Sequence, residues 1–152
     1  MQIAIEHMRA EYFDEVARLY HSYREYFAAG AASDPALSAT FLKDRIARSE
    51  CVLFVALADG RAVGFINLYP LWSSWYCKRI WFVSDLYVDD SARRRGAAAL
   101  LVERAKAFAK DSGASSMMVE LPKNEPHLYK FYANLGFIKD KTFDLARFDA
   151  NA

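Results

Sequence analysis

Residues 91–101 read SARRRGAAALL, and the order of the chain follows from this stretch. Three arginines precede Gly96, and behind it AAALLVERAKAFAKDSGA has helical spacing, with Leu100, Leu101, Arg104, Ala105 and Phe108 on one face and Gly113 as a stop. Just upstream, KRIWFVSDLYV is rich in β-branched and aromatic residues, as a strand is. The stretch is therefore a strand-to-helix junction. The first N–H groups of a helix have no partner within it, and the macrodipole adds partial positive charge there, so the junction suits a phosphate. Gly96 leaves the amides open, Ala97 and Ala98 keep the wall low, and Arg93, Arg94 and Arg95 can add charge-assisted hydrogen bonds. No Gly-Lys-Ser/Thr follows and no GxGxxG is present, which argues against a nucleoside triphosphate or dinucleotide site.

Working outward, Ile3 to Met8 reads as a short strand, and Phe13, Val16, Ala17, Tyr20, Tyr23 and Phe27 form the aromatic stripe of an amphipathic helix. Gly30 and Pro35 break it. Ser38 offers an N-cap to a second helix in which Phe41, Leu42 and Ile46 share a face. CVLFVALADGRAVGFINLY holds two strands about an Asp59-Gly60 hairpin turn, and YPLWSSWYC reads as an aromatic loop. Beyond the central helix, SSMMVELP is a strand, EPHLYKFYANLG a helix with proline in its first turn, and FIKDKTFDLARF a terminal hairpin or pair of strands. The fold class is mixed α/β, with a strand, crossover helix, strand unit at the centre of one sheet.

The length of 152 residues fits one domain, and a net charge of +1 argues against wholesale attraction to nucleic acid or anionic membrane. The N-terminus lacks the pattern of a signal peptide and no long uncharged apolar run occurs, so a cytoplasmic protein is expected, with no membrane or nucleic-acid partner. Cys51 and Cys77 have neither metal-site nor CxxC spacing and read as free thiols; no metal is expected.

The junction Arg93-Arg94-Arg95-Gly96-Ala97-Ala98 resembles motif A of the GNAT superfamily of acetyl-CoA-dependent N-acetyltransferases. Upstream, SDLYVDDSA is similar to that family's central strand, and NEPHLYKFYANLGF to its closing helix and strand. The resemblance covers about residues 50–140 and implies a single domain over 1–152, with a central, mostly antiparallel twisted sheet flanked by about four helices. It implies acetyl-CoA as cosubstrate, its pyrophosphate on Arg93 through Ala98 and its pantetheine along Leu86, Tyr87 and Val88, whose backbone also serves the oxyanion. Tyr132 takes the position of the family's proton donor to the departing thiolate. Asn124 is a further coenzyme A contact, but it stands one residue further from Tyr132 than the family pattern places its asparagine. Tyr129 therefore stays open as a rival.

Deprotonation of the attacking amine falls first to Asp85, a carboxylate beside the acetyl site. Polyamine acetylators of the family carry two acids here, where this chain has Ser84 and Asp85. Glu120 is an alternative acid facing substrate, and Tyr23, Tyr26, Tyr69, Trp72, Trp75 and Tyr76 can line the amine site. GFINLYPLWSS resembles the branch named for a histone and other protein acetyltransferase, whose strands often pair across a homodimer. The expected activity is direct transfer of acetyl to a primary amine, such as a small amine, a polyamine or a lysine side chain, in a ternary complex. A non-catalytic acyl-CoA sensor is the alternative.

Overall fold

The computed structural model describes residues 2–28 and 34–151. They form two compact units, one running through Glu120 and the other from Leu121 onward. The first holds a five-stranded sheet in the order β1 (Ile3–His7), β2 (Val52–Ala58), β3 (Arg61–Ser73), β4 (Lys78–Val88), β5 (Ser116–Val119). All neighbours are antiparallel except β4 and β5. That one parallel pair is the strand, helix, strand unit anticipated from the junction, with α3 (Ala97–Asp111) as its crossover.

On one face of the sheet lie α1 (Phe13–Phe27) and α2 (Pro35–Ala47). Val16, Leu19 and Tyr20 of α1 and Leu42 of α2 pack on Leu53, Val55, Leu57 and Phe65 of the strands. Each fully buried aliphatic or aromatic side chain of this kind contributes about 1.5–3 kcal/mol. The other face is covered by α3. Its buried stripe is Ala97, Leu101, Val102, Ala105 and Ala109, one position round from the expected face; Leu100 is exposed. Small alanines let the helix lie close to the sheet, while Phe108 fills the remaining gap against Phe54 and Trp81.

The hairpin at Asp59-Gly60 is present, with φ of +50° and +80° at its two turn residues. Three other expectations need correction. The N-cap of α2 is Asp34, whose Oδ1 accepts from the Ala36 N–H at 2.9 Å with Pro35 in the first turn; the Gly30 break lies outside the described residues. Ser38 is instead fully buried inside the helix, where its hydroxyl accepts from Arg24 at 2.7 Å and lies 2.8 Å from His21 Nδ1, tying α2 to α1. The aromatic loop is mostly strand: Tyr69–Ser73 continue β3 against Phe82 back to Lys78, because a cross-strand partner is available for every residue.

The second unit contains α4 (Pro126–Asn134), with proline at its start and Gly136 at φ +90° after its end, as read from the sequence. The terminal strands are absent among the described residues. Ile138, Phe143, Leu145 and Phe148 are exposed, and the Asp140 carboxylate draws the Thr142 and Phe143 N–H groups into a turn at 2.8 and 2.7 Å, which breaks an extended run.

Candidate active site

Two features of β4 shape the site. The first is a one-residue bulge: Asn67 faces Asp85 and Leu68 faces Val83, so Ser84 has no opposite number in β3. The extra residue turns Asp85 and Tyr87 toward α1, whereas Trp81, two residues before Val83, faces α3. The second is a parting of strands. β5 pairs with β4 only from Ile80 to Val83, so β4 runs on through Ser84–Val88 with no β5 partner. An extended ligand with amide groups can follow such an edge.

Asp85 is 8% exposed, and among the described residues it makes no ion pair with a lysine, arginine or histidine. Asn67 Nδ2 donates to its Oδ2 at 2.8 Å. Burial pushes the Asp85 carboxyl above the ordinary carboxylate range, and hydrogen bonding from Asn67, then from Tyr23 and Ser84, pulls it part of the way back. Its field reaches three neighbours. Burial first, and the Asp85 charge second, raise the Tyr20 hydroxyl, bring the Tyr69 hydroxyl to about 12 and bring the Cys51 thiol to about 11. The Tyr23 hydroxyl donates to the Ser84 carbonyl at 3.1 Å, and its ring lies edge-on to Phe65 and Tyr87. A buried carboxylate ringed by phenols and lacking a protein cation is a site for a cation from outside.

At the junction, residues 90–92 form one 3₁₀ turn, Arg94 takes a left-handed φ of +64°, and Gly96 caps α3 at φ +78°. No side chain caps this helix, and a Cβ built on Gly96 would meet nothing within 4 Å. The first-turn amides therefore face open space. The arginines divide: Arg93 donates to the Val88 carbonyl at 2.9 Å, pairs with Asp90 at 2.6 Å and lies over the Tyr87 ring. It fastens the loop to the end of β4, leaving Arg94 and Arg95, both exposed, as the cations able to turn to an anion.

Arg93→Ala is accordingly expected to lower thermal stability, by at most about 1 kcal/mol for a half-exposed pair. Arg94→Ala and Arg95→Ala should leave stability unchanged and raise the KM of any substrate whose anionic group docks at the helix start several-fold. Melting curves and initial rates separate the two.

The other expected residues each have their own surroundings. Tyr26 and Trp72 are exposed, the first against Phe27 and the second under the Arg79 guanidinium at 4.1 Å. Glu120 is exposed just beyond β5. In the second unit Tyr132 is buried between Phe131 and Phe137, and burial pushes its hydroxyl well above the ordinary phenol range. Tyr129 donates to the Leu121 carbonyl at 3.4 Å, and Asn124 is exposed before α4. Asn67 was missed from sequence. Its signal is an amide inside the apolar run GFINLYP, at a position sharing the inward face of Phe65.

A crossover helix with an uncapped, glycine-opened start, beside a central strand that leaves its neighbour, can hold an extended ligand that ends in a phosphate. The model of the Acetyltransferase (GNAT) family matches residues 15–137, and the uncharacterized N-acetyltransferase YhfO of Bacillus subtilis (strain 168) is 34% identical over 128 residues, 84% of this chain and 85% of that one. The chain belongs to the GNAT acetyltransferase family and is an N-acetyltransferase of that type. The crystal structure of a probable acetyltransferase, 36% identical, superposes with a TM-score of 0.89 over 98% of this chain and 97% of that one. AAC(6')-Iy in complex with the bisubstrate analog CoA-S-monomethyl-acetylneamine shares the fold at 18% identity, with a TM-score of 0.79 over 99% of this chain and all of that one. Among the described residues no helix is long and apolar enough to cross a membrane.

Proposed function

We propose that residues 1–152 act as one domain that transfers acetyl from acetyl-CoA to a primary amine that arrives as an ammonium ion. The observation that carries this reading is Asp85, a buried carboxylate without a protein counter-ion beside the unpaired part of β4. The residues of the junction fit the cosubstrate, since Gly96 leaves room and the amides of Ala97 and Ala98 with Arg94 and Arg95 supply donors for a pyrophosphate. Along β4, the backbone of Leu86, Tyr87 and Val88 meets pantetheine, and an N–H of Leu86 or Tyr87 meets the oxyanion.

Asp85 takes one proton from the ammonium and passes it to water, leaving a lone pair on nitrogen. The nitrogen forms its bond to the thioester carbonyl carbon, the carbon–sulfur bond breaks, and Tyr132 gives the sulfur its proton, regaining one from the nitrogen. Burial keeps the Tyr132 hydroxyl protonated, the form a donor requires, while the same shift makes it a weaker acid than an ordinary phenol. A superposable relative bound to a CoA–neamine analog makes amino sugars one acceptor class to try, beside polyamines and lysine peptides.

Thermal stability with and without acetyl-CoA, followed by thiol release against that amine panel, tests the reading. Stabilisation with release for one class is expected; stabilisation without release from any class would favour the acyl-CoA sensor. Tyr132→Phe is expected to lower kcat about 10²-fold or more at saturating acetyl-CoA. Unchanged turnover at every pH would remove Tyr132 from the mechanism.

A further inference from the structure

Asn67 is fully buried, and its Oδ1 is the sole buried side-chain polar atom without a hydrogen-bond partner among the described residues. Its orientation is set by its neighbours. A carboxylate accepts and cannot donate, so the amide must turn Nδ2 to Asp85, at 2.8 Å, and the same NH₂ group moderates the raised Tyr69 hydroxyl. The carbonyl end is then left over. A buried carbonyl without a donor is costly, and so is a buried carboxylate without a cation; here they stand on one amide–carboxylate pair.

We propose that Asn67 and Asp85 together form a two-acceptor recognition site for a primary ammonium group, with Asn67 as the residue that selects it. This rests on the acetyl-transfer reading and names the residue that selects its acceptor. A primary ammonium has three N–H donors and a charge, enough to serve Oδ1 of Asn67 and a carboxylate oxygen of Asp85 at once. A secondary ammonium satisfies both only by turning its second substituent away from the pair, and a quaternary one satisfies neither. Asn67 also positions the base, since its N–H favours the ionised form of Asp85. The other groups facing the pair are Tyr20 and Tyr23 from α1, Tyr69 from β3 and Cys51 ahead of β2. Arg24 and Arg45 act on Tyr20, and Arg45 and Glu50 on Cys51.

The test uses the full chain and n-butylammonium as probe, read by the NMR signals of the Asn67 side-chain amide and the Asp85 carboxyl carbon. Butylammonium is expected to shift the Asn67 amide and to lower the Asp85 titration midpoint, while tetramethylammonium at equal concentration leaves Asn67 unmoved. Silence of the Asn67 signals, or an equal response to tetramethylammonium, overturns the proposal. In kinetics with an accepted amine, Asn67→Leu should raise the amine KM at least 10-fold and move the acid limb of kcat/KM to higher pH, as the carboxylate loses its donor. Asn67→Ser, which restores a hydroxyl, should return part of both. An unmoved acid limb and KM in Asn67→Leu, with thiol release intact, would defeat the role of Asn67 and leave acetyl transfer standing. Butylammonium shifts without thiol release for any amine would do the reverse.

Discussion

Replacing Asp85 by asparagine is expected to suppress amine acetylation and to stabilise the protein at neutral pH. The first effect follows if, as proposed, Asp85 accepts the proton and attracts the ammonium; loss of both roles together gives a fall of about 10²–10⁴-fold in kcat/KM. The second follows from the sign of the pKa shift. Burial raises the Asp85 carboxyl above its unfolded value, so the folded state holds that proton more tightly than the unfolded chain does. Its favourable contribution is complete below the ordinary carboxylate range and is lost as pH rises through the raised value. At neutral pH the ionised group is therefore a burden on the fold, and an isosteric amide removes it. A higher Tm at neutral pH is expected. The gap between variant and wild type should open as pH rises through the raised value and vanish in acid. Melting curves across that range, beside initial rates, check both halves; a variant less stable than wild type at neutral pH would contradict the account of Asp85.

Gly96→Asp should separate cosubstrate binding from folding in the same way. At φ +78° most side chains are strained, but aspartate is among the residues that visit this region, and nothing lies within 4 Å of the new Cβ. Stability should therefore change by less than about 1 kcal/mol. The added carboxylate would stand at the open helix start, where it competes for the first-turn amides and repels a pyrophosphate. Losing one or two charge-assisted hydrogen bonds there corresponds to at least about 10-fold weaker acetyl-CoA binding. Isothermal titration with acetyl-CoA reads this directly, and unchanged affinity would take the pyrophosphate away from this junction.

What could be read from sequence was what local chemistry dictates. The Asp59-Gly60 turn, the proline-led α4 and the arginine–glycine junction each depend on a few adjacent residues, and each stands where the residues put it. Asp85 was singled out because the family resemblance puts this carboxylate beside the acetyl site. What stayed hidden depended on partners distant in the chain. Asn67 acquires meaning only through Asp85, eighteen positions on, and Arg93 looked like an anion ligand until Val88 and Asp90 were seen to hold it. The terminal segment failed for a related reason: alternation suggested strands, but a strand exists only where another chain segment accepts its hydrogen bonds. On α3, Leu101 and Ala105 face inward as expected, but Ala97, Val102 and Ala109 complete the buried stripe in place of Leu100, because close helix–sheet contact favours small side chains.

The bulge at Ser84 makes the site depend on a count of residues as much as on their kind. Side chains alternate along β4, so removing one residue at this point would exchange the faces of all that follow up to Val88. Asp85 would be delivered to the apolar side beneath α3, and Leu86 to the phenols beneath α1. Every residue type would be preserved and the chemistry lost. In descent from a common ancestor, this position can therefore accept a replacement of Ser84 more readily than a gap.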